Sequence, residues 1–177
     1  RDNDTFVTLQ NRAKIANENK GNLFISIHTN SLDKSNPNRK KVSGASVYAL
    51  GLHKDQSNLQ VARRENSVIE LEKNFEQKYS GFDPSKDESY IIFEMAQKKN
   101  LGQSLKFADL AQKSLVKEAK RADRGVKQAG FWVLWATSMP AVLVELDFIC
   151  NPNSAVYMGS EKGQSQLADA LCKAIEK

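Results

Sequence analysis

The sequence predicts an α/β domain built on a largely parallel or mixed sheet. Three observations lead there. Two apolar runs, Leu23-Phe24-Ile25-Ser26-Ile27-His28-Thr29-Asn30 and Ala141-Val142-Leu143-Val144-Glu145-Leu146-Asp147-Phe148, read as strands buried on both faces. Segments with apolar residues at helical spacing separate the strands. Each run also carries an ionisable residue near its end, His28 in one and Glu145 in the other. Open α/β sheets build their reaction sites at that carboxyl rim.

The elements follow in order. Thr8 caps a helix over Leu9 to Asn19, with Leu9, Ala13 and Ala16 on one side, and Gly21 breaks the chain. The strand Leu23 to His28 comes next, then a basic loop, then Gly44 to Leu50 as a second strand. Ser57 to Phe75 carries Leu59, Ala62, Ile69 and Leu71 and predicts a helix. Tyr79 to Pro84 is a turn, and Ser85 with Glu88 forms a capping-box pattern for a helix reaching Asn100. Ser104 to Arg121 repeats Leu105, Ala108, Ala111, Leu115 and Ala119 at helical spacing. Short strands are expected around Gly125 to Lys127 and Phe131 to Trp135, and a longer one over Ala141 to Leu146 after Pro140. Asn151-Pro152 starts a short helix, and Ser160 caps a closing helix to Lys177.

Composition narrows the classes. A chain of 177 residues with 40% hydrophobic and 27% charged residues fits one globular domain. No stretch approaches the roughly 18 apolar residues of a membrane span. The net charge of +5 concentrates in Lys34 to Lys41 and Lys113 to Lys127. A solvated surface accounts for both, and an anionic partner is the sharper alternative. The basic residues are not interleaved with aromatics, which argues against a nucleic-acid surface. Cys150 and Cys172 belong to no CxxC pattern, so no zinc knuckle is expected. Cys172, with Leu167, Ala168, Leu171 and Ile175, is expected on the buried side of the last helix, and a disulfide between the two cysteines stays open. The chain opens on Arg1-Asp2-Asn3-Asp4 rather than methionine, so its beginning is expected upstream.

His28 and Glu145 carry the chemistry. A histidine at a strand end either hydrogen-bonds a loop or ligates a metal. A glutamate inside an apolar run is more telling, because burying a carboxylate is costly unless it is paired or used. The only other histidine, His53, follows a strand and is expected in an exposed loop.

An ordered set of motifs adds a resemblance. Arg1-Asp2-Asn3-Asp4, Leu9-x-x-Arg12-x-x-x-Ala16-Asn17, Phe24 to Asn30, Gly44-Ala45-Ser46-Val47-Tyr48, Arg124-Gly125-Val126-Lys127 and Met139 to Ile149 with Asn151 together resemble the zinc-dependent N-acetylmuramoyl-L-alanine amidases of the Amidase_3 family. The resemblance spans nearly the whole chain, interrupted mainly from about Ser67 to Gln103. It implies a mixed sheet, of six strands in the complete family domain, flanked by helices on both faces, and one amidase catalytic domain over 1–177 with a helical insertion at about 67–103. It implies zinc as cofactor, with His28 as a metal ligand, Glu145 as the catalytic base, and two further ligands expected upstream of Arg1. Where the family has glycine after Glu-Leu, this chain has Asp147, a negative charge close to the catalytic rim.

The reaction so implied is hydrolysis of the amide between N-acetylmuramic acid and the L-alanine of the peptidoglycan stem peptide, outside the cytoplasmic membrane of a bacterium. Asn30 is a candidate to orient ligand or substrate, with loop capping as the plain alternative. Arg124 is a candidate for stem-peptide carboxylates, with an ordinary surface arginine as the alternative. Some relatives carry a helix over the zinc that a partner protein moves. Glu65, Glu70, Glu72 and Glu76 offer carboxylates for such a role, against a solvated amphipathic helix, and deleting Ser67 to Gln103 would then raise hydrolysis. The rival function is a non-catalytic wall-binding or regulatory domain of the same fold.

Overall fold

The computed structural model describes residues 3–52, 55–95 and 100–177, without the side chains of Glu94 and Met95. His53, the pair Arg1-Asp2 and the tail of the helix expected to reach Asn100 lie outside the described residues. The chain forms two compact units. One takes in the described residues up to Phe24, Leu50–Leu101 and Gln128–Ala141; the other takes in Ile25–Ala49, Gly102–Lys127 and Val142–Lys177.

The second unit holds nearly all of a four-stranded sheet. Its strands are β1 (Phe24–Asn30), β2 (Ala45–Leu50), β3 (Asp123–Ala129) and β4 (Ala141–Phe148), in the order β1-β4-β2-β3. Strand β2 runs antiparallel to β4, with Ser46 opposite Glu145 and Tyr48 opposite Leu143. β1 and β4 run parallel: Phe24 N donates to Pro140 O at 2.9 Å where they begin, and Ile149 N to Asn30 O at 2.8 Å where they end. β2 and β3 are parallel on the same grounds, through Ala45 N to Ala122 O and Gly51 N to Ala129 O. The mixed α/β sheet flanked by helices is therefore as expected, with four strands among the described residues. Apolar β2 and β4 fill its interior positions, and Val47, Ala49, Val142, Leu143 and Val144 are fully buried.

Helix α5 (Leu101–Lys117) is tied to this sheet by Gln112, whose Nε2 donates to Ala45 O and Asp123 Oδ1. Helix α8 (Glu161–Ile175) meets α5 through Ser114 Oγ, which donates to Ala170 O at 2.6 Å. As expected, Ser160 caps α8, its Oγ accepting from Gly163 N, and Asn151 caps α7 (Pro152–Gly159). The buried stripe of α8 is Gly163, Leu167, Ala170, Leu171 and Ala174. Cys172 is exposed, contrary to expectation, as are Ala168 and Ile175. The apolar residues of this helix offered two overlapping stripes about one position apart, and the one richer in small residues faces inward.

Gly44 opens β2 at a φ of 112°, and a Cβ built there would stand 2.5 Å from the Ala122 carbonyl oxygen. That conformation and that clearance both require glycine. Gly44→Ala is expected to lower stability by roughly 2–4 kcal/mol, read as a fall in Tm by calorimetry.

The first unit is built around aromatic rings. Helix α1 (Leu9–Glu18) is capped by Thr8 Oγ1, as expected, and lies against α6 (Trp132–Trp135). The strand expected at Phe131 to Trp135 is this short helix. A run that is apolar at every position has no period of two to hold it extended, and all four of Phe131, Trp132, Val133 and Leu134 are buried. The helix expected from Ser57 is α2 (Gln56–Asn66), capped by Asp55, and it stops early. Asn66 turns its side chain to Gly130 O and Trp132 N, and the chain continues as a 3₁₀ turn, Ser67–Leu71, before α3 (Phe75–Lys78). The capping box at Ser85 does not form: Ser85 N and Oγ both donate to Asp83 Oδ1, a local turn that competes with the helix. A 3₁₀ turn over Asp87–Tyr90 leads instead into α4 (Ile91–Met95).

Tyr79, Phe82, Tyr90 and Phe93 from these short pieces pack edge-on or tilted against one another and against Trp132 and Trp135, with centroids 4.6–6.3 Å apart. The turn at Tyr79 to Pro84 stands as expected, with Ser80 and Gly81 both at positive φ. Burial pushes the Tyr90 phenol up to about 12. Its hydroxyl donates to Pro84 O. Because the folded state holds this proton longer than the unfolded chain, its contribution is complete below pH ~10 and is lost as the pH rises toward 12. Tyr90→Phe is therefore expected to flatten the decline of stability between those values in alkaline denaturant titrations.

Candidate functional site

β1 presents Ser26, His28 and Asn30 at alternate positions, the spacing that puts them on one face of a strand. Ser26 and Asn30 are buried and His28 is half-buried, while Ile27 and Thr29 between them are exposed. The Ser26 hydroxyl lies 2.9 Å from His28 Nε2, a hydrogen bond whose direction depends on the ring's tautomer. Sequence reasoning missed this contact, and the i, i+2 spacing on a strand is the signal that could have found it.

Glu145 lies on β4, between β1 and β2 in the sheet, and is fully buried. Directly opposite on β2 stands Ser46, also buried. β4 uses eight residues where β1 uses seven. Counting from the bond at the beginning of the pair sets His28 opposite Glu145, and counting from the bond at the end sets it opposite Leu146. The two residues thus occupy adjacent strands, about 4.8 Å apart between backbones, no more than one step out of register. Both stand toward the carboxyl ends, His28 two residues and Glu145 three residues from the last of its strand.

The remaining candidates are placed as follows. Asn30 Oδ1 accepts from Ser31 N at 2.7 Å, the loop-capping geometry. Arg124 is exposed; its Nε donates to Ser43 O, and its guanidinium lies 4.9 Å from the Phe148 ring centroid. Cys150 Sγ accepts from Leu32 N, and both cysteines are free thiols. Glu72 is buried in the first unit, accepting from Tyr79 Oη at 2.7 Å with Lys78 Nζ 3.5 Å away. Glu65 pairs with Arg64, and Glu70 and Glu76 are exposed. Asp147, expected as a negative charge close to the rim, is fully buried near the carboxyl end of β4 and paired with Arg121 at 2.7 Å. Sequence reasoning missed that pair because 26 positions separate its members.

A catalytic zinc takes three protein ligands. Among the described residues no group of three His, Cys, Asp or Glu side chains converges to hold a metal ion. His28 contributes one nitrogen donor, so the donor set described here does not make a complete zinc site. What the described residues offer is a fully buried carboxyl group and a hydrogen-bonded imidazole on neighbouring strands.

The profile of the N-acetylmuramoyl-L-alanine amidase family matches residues 1–177. N-acetylmuramoyl-L-alanine amidase AmiA of Escherichia coli K12 is 30% identical over 177 residues, covering 99% of this chain and 58% of that protein. Among solved structures, the N-acetylmuramoyl-L-alanine amidase of Clostridium difficile 630 superposes with a TM-score of 0.65 at 22% identity, over 99% of this chain and 67% of that one. The CwlD amidase of Clostridioides difficile, solved in complex with the GerS lipoprotein, superposes at 0.58 and 19% identity, over 99% and 67%. At such identities the structural likeness shows the fold. The chain spans less than two thirds of the curated relative's length. No described helix is long and apolar enough to cross a membrane.

Proposed function

This chain belongs to the N-acetylmuramoyl-L-alanine amidase family, and on that premise we propose that it is the catalytic part of a peptidoglycan hydrolase acting outside the cytoplasmic membrane. Its substrate is the amide joining the lactyl group of N-acetylmuramic acid to L-alanine. The observation that carries the reading is Glu145, a fully buried carboxylate on the strand next to the one bearing His28. A carboxyl group so deeply buried needs a partner or a use, and proton transfer at a scissile amide is such a use.

In the reaction, water adds to the amide carbonyl as Glu145 accepts its proton. The carboxylic acid so formed then gives that proton to the departing nitrogen. The C–N bond breaks, leaving a lactyl carboxylate on the sugar and a free α-amine on L-alanine. Ser26 holds His28 in orientation from two residues away. Family membership supports a zinc requirement, with His28 as one donor, but the donors of this chain do not complete a site, and no step here is built on the metal. Asn30 serves to shape the rim loop, and Arg124 stands exposed where an anionic stem peptide can reach it.

CwlD forms a complex with a lipoprotein, which supports a protein partner here, and its action on the helical region at 67–103 is part of the same proposal. Leu71, Ile91 and Ile92 are exposed there, on pieces whose aromatic residues point inward. The test of the function is incubation of the full-length protein with purified sacculi, with detection of newly freed L-alanine amines. Release of those amines supports the amidase. A protein that binds sacculi, carries no zinc and frees no amine is the non-catalytic binder.

A further inference from the structure

We propose that Asp147 and Arg121 are positioning residues for Glu145, locking the carboxyl end of β4 in the one register that presents the catalytic carboxylate. The inference rests on the reading of Glu145 as the general base. Asp147 is fully buried, two residues beyond Glu145, and every donor it meets fixes a different piece of chain. Its Oδ1 accepts from Gly44 N at 2.8 Å, at the start of β2, and from Phe148 N at 2.8 Å, at the end of β4. Its Oδ2 takes a 2.7 Å ionic hydrogen bond from Arg121 Nη1, in the connection between α5 and β3. Arg121 is held in turn: Nε donates to Ala119 O at 3.0 Å, and the guanidinium stacks 3.8 Å from the centroid of Tyr157 on α7. Tyr157 Oη donates to Gln166 Oε1 on α8.

The need for such a lock follows from the sheet. β4 carries one residue more than β1 across the same span, so its register against β1 changes along the pair. A slip of one residue turns every side chain of a strand to the opposite face. A slip of β4 against β2 would turn Glu145 to the other face of the sheet, although the apolar residues around it would still be buried. Valine and leucine at 142–144 do not prevent that slip, because the strand is apolar at each of those positions. The Asp147 side chain opposes it, because its bonds run to the start of β2 and to Arg121. The β2 register pairs Ser46 with Glu145, and two residues on, Asp147 bonds the Gly44 amide in the same alignment. A buried ion pair contributes little net stability compared with apolar residues of the same volume, so directional hold is what this one supplies.

The test uses the full-length enzyme with Asp147→Asn and with the double substitution Asp147→Asn/Arg121→Met, measuring kcat, KM and Tm on soluble wall fragments. Asp147→Asn is expected to lower kcat roughly 10–100-fold with KM within about twofold, the signature of a misplaced reacting group. The double variant leaves no charge unpaired, so its Tm is expected to recover to within a few degrees of the parent. Its kcat is expected to stay low. A double variant with parental Tm and with kcat within about threefold of the parent overturns the proposal, because the pair is then structural only. This variant decides the matter even where the single one fails to fold. Glu145→Gln run alongside keeps the two readings apart: hydrolysis surviving that change refutes the base assignment, whatever Asp147 does.

Discussion

Glu145→Gln is expected to reduce hydrolysis of peptidoglycan by about 10²–10⁴-fold in a protein that still folds. The amide is isosteric with the carboxylate and removes a charge from a fully buried position on an interior strand. Glutamine keeps the volume of the side chain and one carbonyl acceptor, so the packing of β4 is expected to survive the change. The loss of activity is therefore expected to exceed what any change in the folded fraction explains. A thousandfold loss corresponds to about 4 kcal/mol of transition-state stabilisation. The measurement is amine release from sacculi, normalised to folded protein, with Tm taken on the same preparation. A variant retaining more than a tenth of parental turnover would show that the proton is handled elsewhere.

The second large effect concerns the first unit. Phe93→Ala is expected to cost about 3–5 kcal/mol. Its ring is almost completely buried, lies 5.3 Å from Phe82 and 6.3 Å from Trp132 by centroids, and sits so close over Gly130 that a Cβ there would meet it at 2.4 Å. At about 2–4 °C per kcal/mol in a chain of this size, Tm should fall by roughly 10 °C. The result bears on regulation. A helix that swings off a site exposes little apolar surface when it leaves, whereas Tyr79, Phe82, Tyr90 and Phe93 are core residues of their unit. Deleting Ser67 to Gln103 would strip the cover from Trp132 and Trp135, and is expected to cost folding before it reveals any activation. An unchanged Tm in Phe93→Ala would mean the segment is only loosely seated.

Much of this was legible in the chain. The strands carrying His28 and Glu145 were visible as apolar runs, and their polar residues were visible as exceptions within them. Thr8, Asn151 and Ser160 announced their helices through capping chemistry that needs only neighbours in sequence. What failed was set by distant partners. Asn66 ends a helix because Gly130 and Trp132 offer it bonds from more than sixty residues away. The run Phe131 to Trp135 has no polar residue to reveal its period. Asp147 was legible as a charge near the rim but not as half of an ion pair, because nothing local indicates Arg121 as its counter-ion.

The neighbouring placement of β1 and β4 has a further meaning for the order of events as the chain folds. Their key residues lie 117 positions apart (145 minus 28), so they meet only after a very long loop has closed. Local helices can form before that, and the pairing of these two strands is the slower, non-local step. On the proposed chemistry, a nascent or half-finished copy is inert, and latency before completion comes from topology alone.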